Sequence, residues 1–152
     1  MFTKGSIYFI ANYRYEDGGT PTNKILLVVG IDDENSLLLR ALTTSQQKIP
    51  DDLVKHGCTN NDFFSFFSFL KDRIIGTDKN GGDFSFDKNT FVFFRDNIEV
   101  ISYKTILSYF PDDAKLMGQL SEVEYKRFLK CITGSKLLRK KHREFLLLNL
   151  SD

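Results

Sequence analysis

Short apolar runs, each broken by turn-forming residues, constrain this chain more than any other feature. The sequence contains 15 Phe and 6 Tyr but no Trp, and its Phe, Ile and Val residues cluster in short segments separated by Gly, Asn and Asp. Aromatic and β-branched residues favour strands, whereas Gly, Asn and Asp favour turns. No apolar run approaches the ~20 residues that a membrane helix needs. The pattern therefore predicts a mostly β (α+β) fold.

The strands can be assigned from periodicity and composition. Residues 5–10 alternate between apolar and polar side chains, and 24–31 form a continuous aliphatic run that is typical of a central strand. The segment 36–43 follows after an acidic turn, so the two strands are expected to form a hairpin. Further short strands are predicted at 63–70, 84–86, 90–94 and 98–101. The total is six or seven strands.

The end of the chain has a helical pattern. A short helix is predicted at 103–110, and Ser121 with Glu124 forms a capping-box pattern that begins a second helix. Gly134 is expected to end it, and a last helix follows, in which a basic run at 136–143 precedes an apolar stretch at 145–148. The predicted apolar face of the second helix consists of Val123, Phe128, Leu129 and Ile132. We interpret 1–152 as a single domain, with strands to about 101 and helices over about 102–150.

Charge and cysteine content limit the classes of function. The 152 residues include 21 Lys and Arg against 20 Asp and Glu, so any nucleic-acid surface must be local. Cys58 and Cys131 lie in no CxxC or CxxH pattern, which predicts reduced thiols rather than a zinc site or a disulfide framework. No cofactor or metal is expected. The N-terminus lacks the apolar core of a signal peptide, so a cytoplasmic location is expected.

Several motifs occur in an order that resembles a known family. The chain opens with Gly-Ser-Ile-Tyr-Phe at 5–9, continues through a glycine-containing loop, and places Lys24 at the start of a long aliphatic strand. Asn35, an Ala-Leu-Thr element at 41–43, two aliphatic strands and a Gln-Leu-Ser sequence at 119–121 follow. This order resembles the MazF/PemK/Kid toxin family.

The resemblance implies an SH3-like, partly open small barrel with C-terminal helices. It also implies a metal-independent endoribonuclease that acts on single-stranded RNA, works as a homodimer and is restrained by an antitoxin protein, with no membrane involved. The family's catalytic arginine is carried over onto Lys24, and its threonine onto Thr43. Lys24 would then stabilise charge on the phosphate, and Thr43 would donate a hydrogen bond to it.

The neighbouring polar residues Thr44, Ser45, Lys48 and His56 are the candidate substrate-binding residues. Histidine is the side-chain type that most readily serves as an acid or a base near neutral pH, which makes His56 the candidate for that role. A surface loop histidine is the simpler interpretation. Likewise, the Phe-rich segment 63–69 could stack on bases, but core packing is the simpler role.

Lysine departs from the family pattern, because it cannot give the bidentate phosphate contact of a guanidinium, and Ile25 stands where the family has proline. This departure favours an alternative: a catalytically silent SH3-like barrel that binds nucleic acid or a protein partner. A structural subunit of a larger assembly is a third hypothesis. Whether the chain is an enzyme is left open by its sequence.

Overall fold

The computed structural model describes residues 2–150, with the side chains of 149 and 150 left out of the description. Met1 and the last two residues of the predicted 1–152 domain therefore lie outside the described part. The fold is mostly β, with antiparallel strands in two sheets and helices at the C-terminal end, as the sequence predicts. The sheets do not close into a barrel within residues 2–150, so the architecture is partly open.

Ten strands and three α-helices make up this part of the chain. The strands are β1 (Ser6–Tyr13), β2 (Thr22–Asp32), β3 (Leu37–Leu42), β4 (Gly57–Asn60), β5 (Ser65–Phe69), β6 (Gly76–Asp78), β7 (Asp83–Phe84), β8 (Thr90–Phe93), β9 (Ile98–Ser102) and β10 (Ala114–Leu120). The helices are α1 (Tyr103–Leu107), α2 (Glu122–Thr133) and α3 (Lys140–Leu150). The count exceeds the predicted six or seven because β4, β6 and β10 were not recognised from the sequence.

The larger sheet has seven strands in the order β7-β6-β10-β1-β2-β3-β9, and the smaller has the order β4-β5-β8. The predicted hairpin of β2 and β3 is confirmed, with Leu27 opposite Ala41. Both faces of β2 are buried, because Leu27 and Val29 pack into one hydrophobic cluster and Leu26 and Val28 into another. This double burial explains the continuous aliphatic run.

The largest hydrophobic cluster lies between the two sheets and the C-terminal helices. It contains Phe67 and Phe69 of β5, Phe128 of α2 and Leu146 of α3, all 1% exposed or less. Core packing of the Phe-rich segment is therefore confirmed for these residues, whereas Phe63 at its start is 84% exposed. Phe rings fill the interior without any Trp.

Helix α2 begins as predicted but presents a different face. Ser121 caps it by accepting a hydrogen bond from the Glu124 N–H at 3.1 Å, and Gly134 ends it. The second half of the capping box is absent, because the Ser121 N–H donates to the Ile75 carbonyl. The expectation that Val123 belongs to the buried apolar face of this helix is wrong, since Val123 is 62% exposed and Glu124 is buried instead.

The predicted reduced thiols are also corrected. Cys58 of β4 and Cys131 of α2 form a disulfide that joins positions 73 residues apart. It ties the second helix to the edge of the smaller sheet. Spacing motifs describe pairs that are close in sequence, so they carry no signal for a bridge of this length.

Candidate functional site

Two adjoining cavities, of about 370 and 480 Å³, lie beside the end of the β2–β3 hairpin. Both are lined by Lys24, Thr44 and Gln46, so they form one continuous depression, which we call the Lys24 cleft. Thr43 and Ser45 line the first cavity, and Lys48 lines the second. Five of the six sequence-predicted site residues therefore meet in this cleft.

Backbone hydrogen bonds fix the positions of the two threonines. The Thr43 N–H donates to the Ile25 carbonyl at 3.0 Å, which holds it beside β2 just beyond the end of β3. Thr44 exchanges two hydrogen bonds with Phe91 of β8, at 2.9 and 2.8 Å, and so links the larger sheet to the smaller one. A rigid floor of this kind reduces the reorganisation needed to bind a ligand.

Lys24 lies on β2, opposite Ile10 of β1, and is partly exposed. No ion pair within residues 2–150 involves its ammonium group. A cation without an ion pair that lines a cavity together with hydroxyl-bearing residues is suited to an anionic ligand, because the ligand does not have to displace an existing carboxylate.

The opposite wall was missed by sequence reasoning. Asp87 and Lys88, both exposed, complete the first cavity between Phe86 and Thr90. Arg95 and Arg139, also exposed, line the second cavity. Only Arg139 carried a signal, as part of the basic run before the last helix. Asp87 and Lys88 come from the segment between β7 and β8, and Arg95 comes from the turn between β8 and β9. The placement of both segments depends on tertiary structure.

A buried guanidinium closes the far side of the second cavity. Arg40 donates to Glu16 Oε1 at 2.5 Å and to the Asn97 carbonyl at 2.7 Å, and its Nε donates to the Tyr13 hydroxyl at 3.1 Å. Burial raises the pKa of Tyr13 well above its ordinary value, although the Arg40 charge acts in the opposite direction. These bonds engage Arg40 in the scaffold, which leaves the exposed cations to meet a ligand.

His56 is not brought to the cleft. Its side chain is only 5% exposed, so the interpretation of a surface loop histidine is wrong. Its Nδ1 accepts a hydrogen bond from the Leu70 N–H at 3.3 Å, and its Nε2 faces Glu124 Oε1. The neutral ring therefore carries its proton on Nε2 and donates it to the carboxylate. Phe67 and Phe69 pack edge-on against the ring.

His56, Cys58, Glu124 and Cys131 together form a second polar region, which we call the α2 anchor. Glu124 is 6% exposed at its side chain and also faces Arg127 at 3.7 Å. The anchor holds α2 against the smaller sheet through one covalent bond and one buried hydrogen bond. It is structural in its contacts, and it is distinct from the Lys24 cleft because none of its four residues lines either cavity.

Among residues 2–150, no group of three or more His, Cys, Asp and Glu side chains is arranged to hold a metal ion. No helix in the same part of the chain combines the length and the apolar character required to cross a membrane.

Comparison with known proteins gave no relatives: no family model matches the chain, and neither curated proteins nor solved structures gave a match.

Proposed function

We propose that the protein is a toxin-type, metal-independent endoribonuclease-like domain that acts on single-stranded RNA in the Lys24 cleft. One observation carries the proposal. Lys24 on one strand and the run Thr43, Thr44 and Ser45 beyond the next strand line the same cavity. These are the positions onto which the family resemblance carries its arginine and threonine.

The cleft offers a cation, a hydrogen-bond donor and a base for phosphodiester cleavage. Lys24 supplies positive charge to the phosphate, and the hydroxyl of Thr43 donates a hydrogen bond to it. Asp87, the one carboxylate lining the first cavity, is the group that would accept the proton of the attacking 2′-hydroxyl. The 2′-oxygen loses its proton to Asp87 and forms a bond to phosphorus, the bond to the 5′-oxygen breaks, and that oxygen takes up a proton from water.

The aromatic lining of the first cavity favours an unpaired strand. Phe9 and Phe86 line the first cavity beside the polar groups. Phe9 is partly exposed, so a base that is free of its partner could stack on its ring. The second cavity is lined by the exposed cations Lys48, Arg95 and Arg139 and also by four acidic residues, Glu16, Asp17, Asp96 and Glu99. The three cations are the groups that the phosphates of the strand would contact there.

The proposal extends to the partners and location that the resemblance implies. A second copy of the chain and an antitoxin protein are the proposed protein partners, and the cytoplasm, where RNA is available, is the proposed location. A disulfide in a reducing compartment is usually transient or redox-sensing rather than a permanent staple. In that location the Cys58–Cys131 bond would form and break with the redox state of its surroundings.

A catalytically silent module that binds nucleic acid or a protein partner is the second candidate. The composition of the first cavity favours it: neither histidine nor arginine lines that cavity in the described part of the chain. His56, the candidate acid or base, is engaged with Glu124 outside the cleft. Such a module would bind the same RNA in the same place without cutting it.

The test is incubation of a long single-stranded RNA with purified protein in EDTA, followed by mapping of the cut ends. Lys24→Ala and Thr43→Val are the site variants, the second because it keeps the volume of a buried side chain. Lys104→Ala is the matched control, since Lys104 is exposed on α1 and lines neither cavity. Discrete cuts by the wild type and the control, lost in both site variants, are expected. Intact RNA that is nevertheless bound would support the silent module.

A further inference from the structure

The Cys58–Cys131 disulfide joins an exposed cysteine to a buried one. Cys58 is exposed at the edge of the smaller sheet, whereas Cys131 is 2% exposed within α2. Exchange of a disulfide begins when a thiolate reaches one of the two sulfurs, so access decides which one is attacked. Attack is therefore directed to Cys58, and Cys131 becomes the leaving group.

A cavity of about 410 Å³ opens beside the bond. Its walls include Cys58, Cys131, Phe67 and Asn60, together with Arg127 and Lys130 of α2. Arg127 and Lys130 are exposed, and no carboxylate-bearing residue of the described part of the chain lines the cavity. Cavities of this size can hold a small-molecule ligand.

The charge of this cavity is positive. Lys130 makes no ion pair within residues 2–150. Arg127 makes one, at 3.7 Å from one oxygen of Glu124, and the other oxygen of that carboxylate faces His56. Two exposed cations close to a reactive bond raise the local concentration of anions around it. They also favour the thiolate form of an incoming thiol.

We infer that this cavity is a thiol–disulfide exchange site for small thiols that carry a carboxylate, the class to which glutathione belongs. The inference does not depend on the proposed function, because the cavity shares no residue with the Lys24 cleft. A cationic or neutral thiol would lack the attraction of Arg127 and Lys130.

The disulfide is reduced in two successive exchange steps. The incoming thiolate forms a bond to Cys58 Sγ, and the bond to Cys131 Sγ breaks, which leaves a mixed disulfide and a Cys131 thiolate. A second molecule of the small thiol attacks the sulfur of the first, releasing the small disulfide and a Cys58 thiolate. Both protein thiolates take protons from water. The protein gains two electrons, and the two small thiols lose them.

Groups around the bond are placed to receive the products. The side-chain amide of Asn60 lies 3.5 Å from Cys58 Sγ and 3.9 Å from Cys131 Sγ, so one donor faces both sulfurs. The Phe66 carbonyl lies 3.6 Å from Cys131 Sγ and can accept a hydrogen bond from the thiol that reduction creates. The reduced state thus leaves neither sulfur without a polar neighbour.

The experiment uses the oxidised 152-residue chain in native buffer with three probes: 3-mercaptopropionate, 2-mercaptoethanol and cysteamine, which are anionic, neutral and cationic. Reactions are quenched by alkylation, and peptide mapping locates the first adduct. Rate constants are expressed per thiolate. We expect the first adduct on Cys58, and an anionic thiol that reacts about tenfold faster than the cationic one at low salt, a preference that shrinks as salt is added.

Arg127→Gln combined with Lys130→Gln should remove this preference. Lys126→Gln, on the same helix but outside the cavity, should keep it. Equal rates for the three probes in the wild type would overturn the inference. A first adduct on Cys131, or reaction only after denaturant is added, would overturn it as well.

Discussion

The Lys24 cleft and the α2 anchor are built in opposite ways. In the cleft, Lys24 has no ionic partner within the described residues, and Ser45 and Lys48 are exposed. In the anchor, His56 and Glu124 are 5% and 6% exposed and bonded to each other, and the two cysteines are joined covalently. The exposed polar groups of the cleft are available to a ligand, whereas those of the anchor are bonded to one another.

This contrast distinguishes groups that are free to bind a ligand from groups that stabilise the fold. A buried donor or acceptor that loses its partner destabilises the protein, whereas an exposed lysine can be removed at little cost. If the contrast is correct, substitutions in the anchor will change stability, and substitutions in the cleft will change binding.

The largest effect is expected from the disulfide. Replacing both Cys58 and Cys131 with Ala should lower the free energy of unfolding by about 4 kcal/mol, because the bond closes a loop between positions 73 residues apart. The melting temperature should fall by about 10 °C. Thermal unfolding of the reduced wild type is the matched control and should resemble the variant. Unchanged stability in both would show that the anchor contributes nothing through its covalent bond.

The next effect is expected from Glu124. Glu124→Ala leaves the buried Nε2–H of His56 without its acceptor and should cost about 2 kcal/mol in urea unfolding. Glu124→Gln keeps an acceptor and should cost less. Glu122→Ala, on an exposed position of the same helix, should cause no measurable change. A loss of stability in Glu122→Ala equal to that in Glu124→Ala would contradict a specific role of the buried pair.

A smaller effect concerns pH. Burial lowers the pKa of His142 below its ordinary value of 6.5, although its hydrogen bond to Glu99 acts in the opposite direction. The unfolded chain therefore binds a proton at a pH where the folded chain does not. The free energy of unfolding should fall as the pH drops below about 6.5, until the folded-state pKa is passed. Chemical unfolding between pH 5 and 7 measures it.

Protonation of Glu99 adds to this loss at lower pH. Burial acts to raise the pKa of Glu99, but its hydrogen bonds from His142, the Val100 N–H and Lys141 lower it overall. The stability that this depressed pKa contributes is lost as the pH falls through the folded-state value. His142→Gln should flatten the profile around pH 6 and also weaken the more acidic part, because the hydrogen bond from His142 is one of those that lower the pKa of Glu99. A stability that rises on acidification would contradict both assignments.

The smallest effect on stability is expected in the cleft. Lys24→Ala should change the free energy of unfolding by less than about 0.5 kcal/mol, because a partly exposed lysine without an ionic partner contributes little. Equilibrium unfolding in urea, run beside Lys104→Ala, measures it. A loss comparable to that of Glu124→Ala would place Lys24 in the scaffold and remove the distinction between the two regions.

Local patterns predicted the hairpin, the Ser121 cap and the last helix, because each depends on residues that are close in sequence. Strand β10 escaped prediction since Lys115 and Gln119 interrupt its apolar pattern. It is a strand because β1 and β6 supply hydrogen-bonding partners on both sides. Tertiary pairing overrides a weak local propensity here.

The same distinction applies to the two polar regions. One wall of the cleft was predicted through the family resemblance, which singled out Lys24 and Thr43. The β2–β3 hairpin explains why they meet, because Lys24 lies on β2 and Thr43 follows the end of β3. The other wall, at Asp87 and Lys88, depends on how the smaller sheet packs. The anchor could not be predicted, since its partners are 68 and 73 residues apart and nothing local links them.

The central claim, that the Lys24 cleft is the RNA site, is tested most directly by titrating a labelled single-stranded RNA at several salt concentrations. The wild type, Lys24→Ala and Lys104→Ala are compared, with duplex RNA as the competitor. We predict that Lys24→Ala alone weakens binding by about fivefold and reduces the slope of log K against log salt by about 0.7, the value for one lost phosphate contact on a single strand. Equal affinities and slopes for the two lysine variants would contradict the account.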